Sequence, residues 1–391
     1  MIQIDQPYGI LRGPDIIARH PSNIRCLHIN TRSEEDYDFI TLGMKNLERL
    51  HINNYALSRR PIPIVSHLPK LRVVILQHLP TLPHGAFINL TDLTLHSIVS
   101  PITNLVDTLR ANQTLERIRL IGTFVEADPH GRSVTLPNLK LLCISRSSPV
   151  AILRISSPLP TPSRVIVHDN TTGLAISEIG TLFNPFLIFG PKDPVRTASI
   201  SMLPGKASFT FHTFNGATVE ITIQATPLAA GGQLTELSPL LQYVSRWGPF
   251  PELRSMHLHI EHVVTGPAHS ATIHSLLSRA PRVIHLSFDG PTLFHCICQV
   301  LSANAPGTIC PELEHLGGTL RPKDQVVEGL HLLSEAVKRR PVTIRKITLD
   351  VPSSEEEIAG ILTQAGPFTQ ELKSHGIHEL LLTPIAARDY F

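Results

Sequence analysis

One spacing constrains this chain more than any other. Within Leu68–Leu79 the apolar residues are Leu71, Val74, Leu76 and Leu79. The same Leu-x-x-Leu-x-Leu skeleton returns at Ile24/Leu27/Ile29, Leu47/Leu50/Ile52, Leu90/Leu93/Leu95, Leu115/Ile118/Leu120 and Leu139/Leu142/Ile144. After a gap it resumes at Leu253/Met256/Leu258, Val283/Leu286/Phe288, Leu313/Leu316, Ile344/Ile347/Leu349 and Ile377/Leu380/Leu382. The first positions lie 19 to 25 residues apart up to Leu139 and 30 to 33 apart from Leu253 on. A unit of this length has one apolar face too small to bury alone, so stacked units are required to close a core.

Prolines support the register. Pro69, Pro137, Pro251, Pro281 and Pro311 each stand two residues before a first apolar position. Proline cannot donate to a ladder, which places it at a strand's entrance rather than its middle. Between the strands, Ile273/Leu276/Leu277/Ala280, Leu293/Ile297/Val300/Leu301 and Val326/Leu330/Leu333/Val337 follow helical periodicity, as do Ile102/Leu105/Val106/Leu109. Ser354 and Glu357 predict a capping box. Residues 14–20 and 234–247 read as further helices, and Val165–Val167 as a degenerate repeat strand. Asn215-Gly216 between two alternating stretches, 208–214 and 217–224, predicts a hairpin. The expected organisation is a cap segment over 1–23, a block of short repeats over 24–170, an irregular segment with the hairpin over 171–250, and a block of longer helical repeats over 251–391.

With 391 residues, the chain exceeds a usual single core, which an elongated array accommodates because it adds core as it adds length. The formal net charge is only +2 and 5% of residues are aromatic, so neither nucleic acid nor an anionic membrane is an expected partner. There is no basic-then-apolar leader at the start and no apolar run of spanning length. The five scattered cysteines suit free thiols in a reducing compartment, so the expected location is cytoplasmic or nuclear. The sequons at Asn89, Asn112 and Asn170 are then chance occurrences.

The repeats resemble leucine-rich repeats. Their uneven length, their Pro-x-Leu entrances and the phrases Phe250-Pro-Glu-Leu-Arg-Ser-Met-His-Leu and Ala280-Pro-Arg-Val-Ile-His-Leu-Ser-Phe-Asp-Gly are similar to the repeat region of fungal F-box proteins of the basidiomycete type. The resemblance covers roughly residues 20–150 and 250–390. It implies an α/β fold: a leucine-rich-repeat solenoid of the ribonuclease-inhibitor type, with a curved parallel sheet and outer helices and loops. It also implies a non-catalytic, protein-binding adaptor, the substrate-recognition part of an SCF-type ubiquitin ligase. No Leu-Pro-x-Glu/Asp-Ile/Leu opening and no helical module of F-box length precede Ile24. A Skp1-type linker is therefore an expected partner only if an F-box exists upstream. The alternatives are a free-standing scaffold and, behind it, a metal-dependent enzyme.

Site chemistry is sparse. His257 and His259 share one strand face with Glu261 next in line, which is ligand-like, but zinc needs more ligands and second-shell support, and a solvated strand accounts for them. Cys296 and Cys298, two apart on a helix, do not face each other and read as core filling. Gly205-Lys206 lacks the upstream glycine of a phosphate loop, and no hydrolase, zincin or Rossmann motif occurs. No cofactor or metal is expected.

The expected functional face is the row of strand residues between the buried leucines. A protein partner on that concave face would meet Arg49, His51, Val73, Ile75, Arg117, Arg119 and Leu141, with His257 and His259 in the second block. Val73, Ile75 and Leu141 are apolar where no core awaits them.

Overall fold

The computed structural model of the chain describes residues 2–5, 21–31, 44–54, 68–83, 87–125, 133–147, 159–160, 163–169, 193–203, 206–224, 250–261, 267–290, 293–303, 309–319, 325–338, 344–351 and 354–384. The helices expected over 14–20 and 234–247 lie outside them. The chain divides into two compact units. The first is built from Met1–Asn170 with Leu187–Gly190 and Asn215–Val219, and the second from the remainder.

The first unit holds β1 (Ile2–Asp5), a short 3-10 helix (Pro21–Asn23), β2 (Cys26–Thr31), β3 (Arg49–Asn54), β4 (Val73–Gln77) and β5 (Asp92–His96). After these come β6 (Val99–Ser100), α1 (Ile102–Ala111), β7 (Arg117–Ile121), β8 (Phe124–Val125), β9 (Leu141–Ser145) and β10 (Arg164–Asp169). The sheet order is β1-β2-β3-β4-β5-β7-β9-β10, and every adjacent pair in it is parallel. β6 and β8 form a second, two-stranded parallel sheet.

The register is one to one between repeats. Leu27, Leu50, Val74, Leu93, Ile118, Leu142 and Val165 stand side by side, as do Ile29, Ile52, Leu76, Leu95, Leu120, Ile144 and Val167. All of them are buried, together with Ile24, Leu47, Leu71, Leu90, Leu115 and Leu139 from the turn before each strand. Alternation therefore sends the residues between them to the sheet's other, open face. β1, within the stretch read from sequence as a cap, adds a parallel edge strand beside β2.

The prolines have a sharper role than strand entrance. The Leu71 amide donates to the Leu68 carbonyl (3.0 Å), Leu139 to Leu136, Leu253 to Phe250, Val283 to Ala280 and Leu313 to Cys310. Each is a β-turn with proline at its second position, where a fixed φ near −65° preorganises the turn. The turn delivers the first leucine inward and sets the strand's phase.

Strand exits repeat as well. His78, Ser97, Gly122 and Arg146, each one residue past a strand, all have positive φ between 50° and 57°. Their amides donate to His96, Ile121, Ser145 and His168 at 2.7 to 3.0 Å, tying each repeat to the next. Buried polar groups add further ties. Asn112 accepts from Leu90 N (2.8 Å) and donates to the carbonyls of Phe87 and Thr108. The Thr123 amide donates to Ser147 Oγ (2.9 Å), and that hydroxyl faces the Leu120 carbonyl at 3.1 Å.

The second unit begins with a departure from all-parallel order. β11 (Val195–Leu203) and β12 (Lys206–Thr213) are antiparallel. β13 (Thr218–Gln224), whose first two residues and preceding turn at Asn215-Gly216 are counted with the first unit, neighbours β12 in the sheet, and Gly216 has φ +85°, so the hairpin read from sequence is present. The parallel repeats then run β11, β14 (Ser255–Ile260), β15 (His285–Asp289), β16 (His315–Thr319), β17 (Lys346–Val351) and β18 (Glu379–Pro384). Between them lie α2 (Pro267–Ser278), α3 (Leu293–Ala303), α4 (Gln325–Lys338), α5 (Glu355–Gln364) and α6 (Gly366–Ser374). α2, α3 and α4 pack in sequence against one another, and α4 against α6. The Ser354–Glu357 capping box forms in full. Both units thus have the leucine-rich-repeat architecture.

The longer connectors make a helical layer, and its closeness leaves little space. Phe288 and Phe294 stack with centroids 5.3 Å apart. A Cβ on Gly329 of α4 would lie 2.1 Å from the Phe294 ring, and one on Gly318 would lie 2.5 Å from the Phe288 ring. Cys296 and Cys298 are buried in this layer, as a core-filling role requires. Cys310, also buried, sits with Sγ 3.7 Å from the carbonyls of Leu277 and Ala280. Alanine favours a helix over glycine by about 1 kcal/mol, yet overpacking a filled core costs about 1–3 kcal/mol. Gly329→Ala is therefore expected to lower the urea midpoint, and Phe294→Leu in the same chain to restore most of the loss. A stabilised Gly329→Ala protein would show that the ring has room to move.

Candidate functional site

The open face of the first unit is a grid. Its first row, read across the strands, is Cys26, Arg49, Val73, Asp92, Arg117 and Leu141. The second is His28, His51, Ile75, Thr94, Arg119 and Cys143. Seven of the residues expected at the site, Arg49, His51, Val73, Ile75, Arg117, Arg119 and Leu141, lie on this grid. His257 and His259 belong to the second unit. Val73, Ile75 and Leu141 are half-buried by their neighbours without entering the core.

The three arginines differ. Arg117 grips Asp92 on the adjacent strand through two contacts, Nε to Oδ1 and Nη2 to Oδ2 (3.1 Å). Thr91 Oγ1 donates to the same carboxylate at 2.9 Å. Arg117's own hydrogen bonds to Asp92, with the carboxylate's charge, raise its guanidinium above its ordinary range. Arg117 is thus charge-compensated. Arg49 and Arg119 are exposed, and their side chains make no hydrogen bond or ion pair to other described residues.

Sequence reasoning did not single out Lys70 and Arg72. With Arg49, Arg117, Glu48 and Asp92 they line a groove of about 440 Å³ floored by Val73 and Thr91. Arg72 Nη1 reaches the carbonyls of Pro69, Leu71 and Asn89 at 3.1 to 3.3 Å, and Lys70 Nζ donates to Asn46 Oδ1 at 2.7 Å. Neutral acceptors hold both cations in place without cancelling their charge. Glu48 is 3.9 Å from Arg25. The signal that could have found these residues is positional: Arg25, Glu48 and Arg72 each precede a strand by one residue.

Histidines recur on the open faces. His28 and His51 stack with centroids 4.0 Å apart and planes 7° from parallel, and among the described residues both buried Nε2 atoms lack a partner. His285 and His315 stack at 4.5 Å. His257 Nδ1 shares a hydrogen bond of 2.8 Å with Ser287 Oγ. His259 Nε2 lies 3.7 Å from both Glu261 and Asp289. The expected trio therefore splits: His259 faces the acids while His257 turns to Ser287. Among the described residues no three His, Cys, Asp or Glu side chains are placed to hold a metal ion. The Ser287–His257 pair has a nucleophile's geometry. Ser287 lies mid-strand, paired in register on both sides, so the ladder engages the amides that an oxyanion hole would need.

Four histidines, His51, His96, His257 and His285, are held below their ordinary value near 6.5. For His51 the causes are burial and then His28, partly opposed by a hydrogen bond to Gln77. For His96 they are burial, His78 and Arg146. For His257 they are burial and His259, opposed by Asp289, and for His285 burial and His315, opposed by Glu314. Above the unfolded value both states are neutral. Below it the unfolded chain accepts protons that the folded chain refuses, so stability is lost as pH falls from the unfolded value toward the folded ones. Melting temperature is expected to drop between about pH 7.5 and pH 5, above most carboxylate titration. The drop should be shallower in His51→Gln with His285→Gln. Equal slopes would assign it to other groups.

No family model matches the chain. No curated protein matches it. Among solved structures it matches a chain from a crystal structure of a TLR13–ssRNA13 complex at 14% identity, with a TM-score of 0.27 over 83% of this chain. The match spans 41% of that chain's length. The leucine-rich-repeat assignment rests on the strand register and burial described above. Among the described residues no helix is long and apolar enough to cross a membrane.

Proposed function

We propose that this chain is a non-catalytic protein-binding scaffold that works through the open sheet face of its first unit. The observation that carries the reading is Val73, Ile75 and Leu141 standing half-buried on a face with no core of its own, beside the uncompensated Arg49 and Arg119. Apolar surface next to arginine is the make-up of an interface centre, because a guanidinium is more weakly hydrated than an ammonium and is less costly to desolvate. A near-neutral chain with few aromatics favours protein over nucleic acid as the partner.

The sharper form of this reading is substrate recognition for an SCF-type ubiquitin ligase. Its support is the resemblance of the Pro-x-Leu repeats to those of fungal F-box proteins. Under it the partner is a substrate protein, and a Skp1-type linker would engage an F-box joined to these repeats. A free-standing scaffold is the alternative, with the metal-dependent enzyme on the His257–His259 strand well behind it.

Peptide display selected on the purified chain tests the scaffold. The strongest binders are expected to compete for one site. Ile75→Asp with Leu141→Asp should weaken them by roughly 2 kcal/mol or more, as at interface anchors, while the melting temperature stays close to the parent's because neither residue enters the core. Undiminished binding to that variant would move the site off this face. Mixing the chain with a Skp1-type linker tests the ligase form: co-elution would show that linker recognition lies within these residues.

A further inference from the structure

We infer that the groove around Arg49, Lys70 and Arg72 is a carboxylate seat, and that its occupant is an acidic segment of a protein partner in which an Asp or Glu is followed two residues later by an apolar side chain. This deepens the scaffold reading and rests on it.

Charge comes first. Of the groove's four cations, Arg117 is satisfied by Asp92. The other three keep an uncompensated charge, two of them held by neutral oxygens and Arg49 by nothing among the described residues. Cations fixed before binding lose little freedom on meeting an anion, and an arginine fork matches a carboxylate's two oxygens. Among the described residues that line this end of the groove, Glu48 is the one acid, and it lies 3.9 Å from Arg25.

Spacing sets the pattern. Arg49 and Val73 are register partners on neighbouring strands, about 4.8 Å apart, and Ile75 lies two residues further along β4, about 7 Å beyond Val73. In an extended peptide, residues i and i+2 point the same way and are also about 7 Å apart. A carboxylate over Arg49 therefore places an apolar side chain on the Val73–Ile75 strip. The Asp92–Arg117 pair closes the far end and, being mutually neutralised, offers no further cation there. A nucleic-acid backbone, with a phosphate at every step, would find no second free cation at that end, whereas one carboxylate alternating with an apolar residue needs only one.

The test is fluorescence anisotropy with a labelled peptide carrying Asp-x-Leu and Glu-x-Leu steps, compared with its Asn/Gln counterpart. The acidic peptide is expected to bind at least about tenfold more tightly, and the advantage should shrink between low and high salt, as screening requires. Arg49→Glu should reduce acidic-peptide affinity at least about tenfold, while Arg110→Glu, an exposed cation in the last turn of α1 and outside both the groove and the open face, should change it by less than about threefold. The Arg49 side chain makes no hydrogen bond or ion pair to described residues, so its reversal removes no contact of the fold. Lys70→Glu provides a second variant with the same expectation. Equal binding of acid and amide peptides overturns the proposal. So does equal damage from Arg49→Glu and Arg110→Glu, which would mean a diffuse field rather than a seat. A phosphoserine version binding more than about tenfold tighter than the acidic one would overturn the carboxylate assignment in favour of a phosphopeptide. If the seat fails while display binders still depend on Ile75 and Leu141, the scaffold reading stands alone. If both fail, the face is not a docking surface.

Discussion

Parallel pairing in perfect phase is the constraint on which this structure depends. Each strand residue faces its own counterpart one repeat away, so every core aliphatic side chain stands beside another aliphatic side chain and every open-face residue joins a row of equivalents. Burying one such side chain contributes about 2 kcal/mol, and fixing one residue's backbone costs about 1–2 kcal/mol. A single repeat with three core residues cannot hold itself, which makes the neighbour a condition of folding. Slippage by one residue would turn the whole core outward. Proline turns before β4, β9, β14, β15 and β16 and left-handed turns after β4, β5, β7 and β9 pin the phase, and β4 and β9 are held in this way at both ends.

Those devices explain what was legible beforehand. The leucine skeleton and the prolines are local, periodic signals, so the repeat strands, their facing, the hairpin and the capping box could be read directly. β1 could not, because Ile2–Asp5 is one short alternation with no proline turn before it. The antiparallel β11–β12 pair was half hidden, since Val195–Leu203 lacks the leucine phase although it carries the same burial alternation. The site was legible in its rows but not in its pairings. Sequence placed Asp92 and Arg117 in one row, yet that they clasp each other, and that Lys70 and Arg72 keep their charge, depends on side-chain reach across strands. No spacing rule encodes that.

The two open faces also differ in chemistry within one architecture. In the first unit the rows mix arginine with aliphatic residues. In the second, β14 to β17 carry His257, Ser287, Gly317 and Thr348 in one row and His259, Asp289, Thr319 and Asp350 in the next. Small and polar residues there leave less apolar surface to offer. The ordering of repeats, rather than any catalytic grouping, is what gives each face its character.

The turn after each strand has a consequence for how such a surface can diversify. His78, Ser97, Gly122 and Arg146 share one backbone conformation although only one of them is glycine. The shape is imposed by the amide's bond to the following repeat, not by the residue that adopts it. A position whose backbone is dictated from outside places few demands on its own side chain. Along this rim an imidazole, a hydroxyl, a bare hydrogen and a guanidinium occupy structurally interchangeable posts. Variation can therefore accumulate at the margin of the sheet, altering what the protein meets first, while the stacked interior is left untouched.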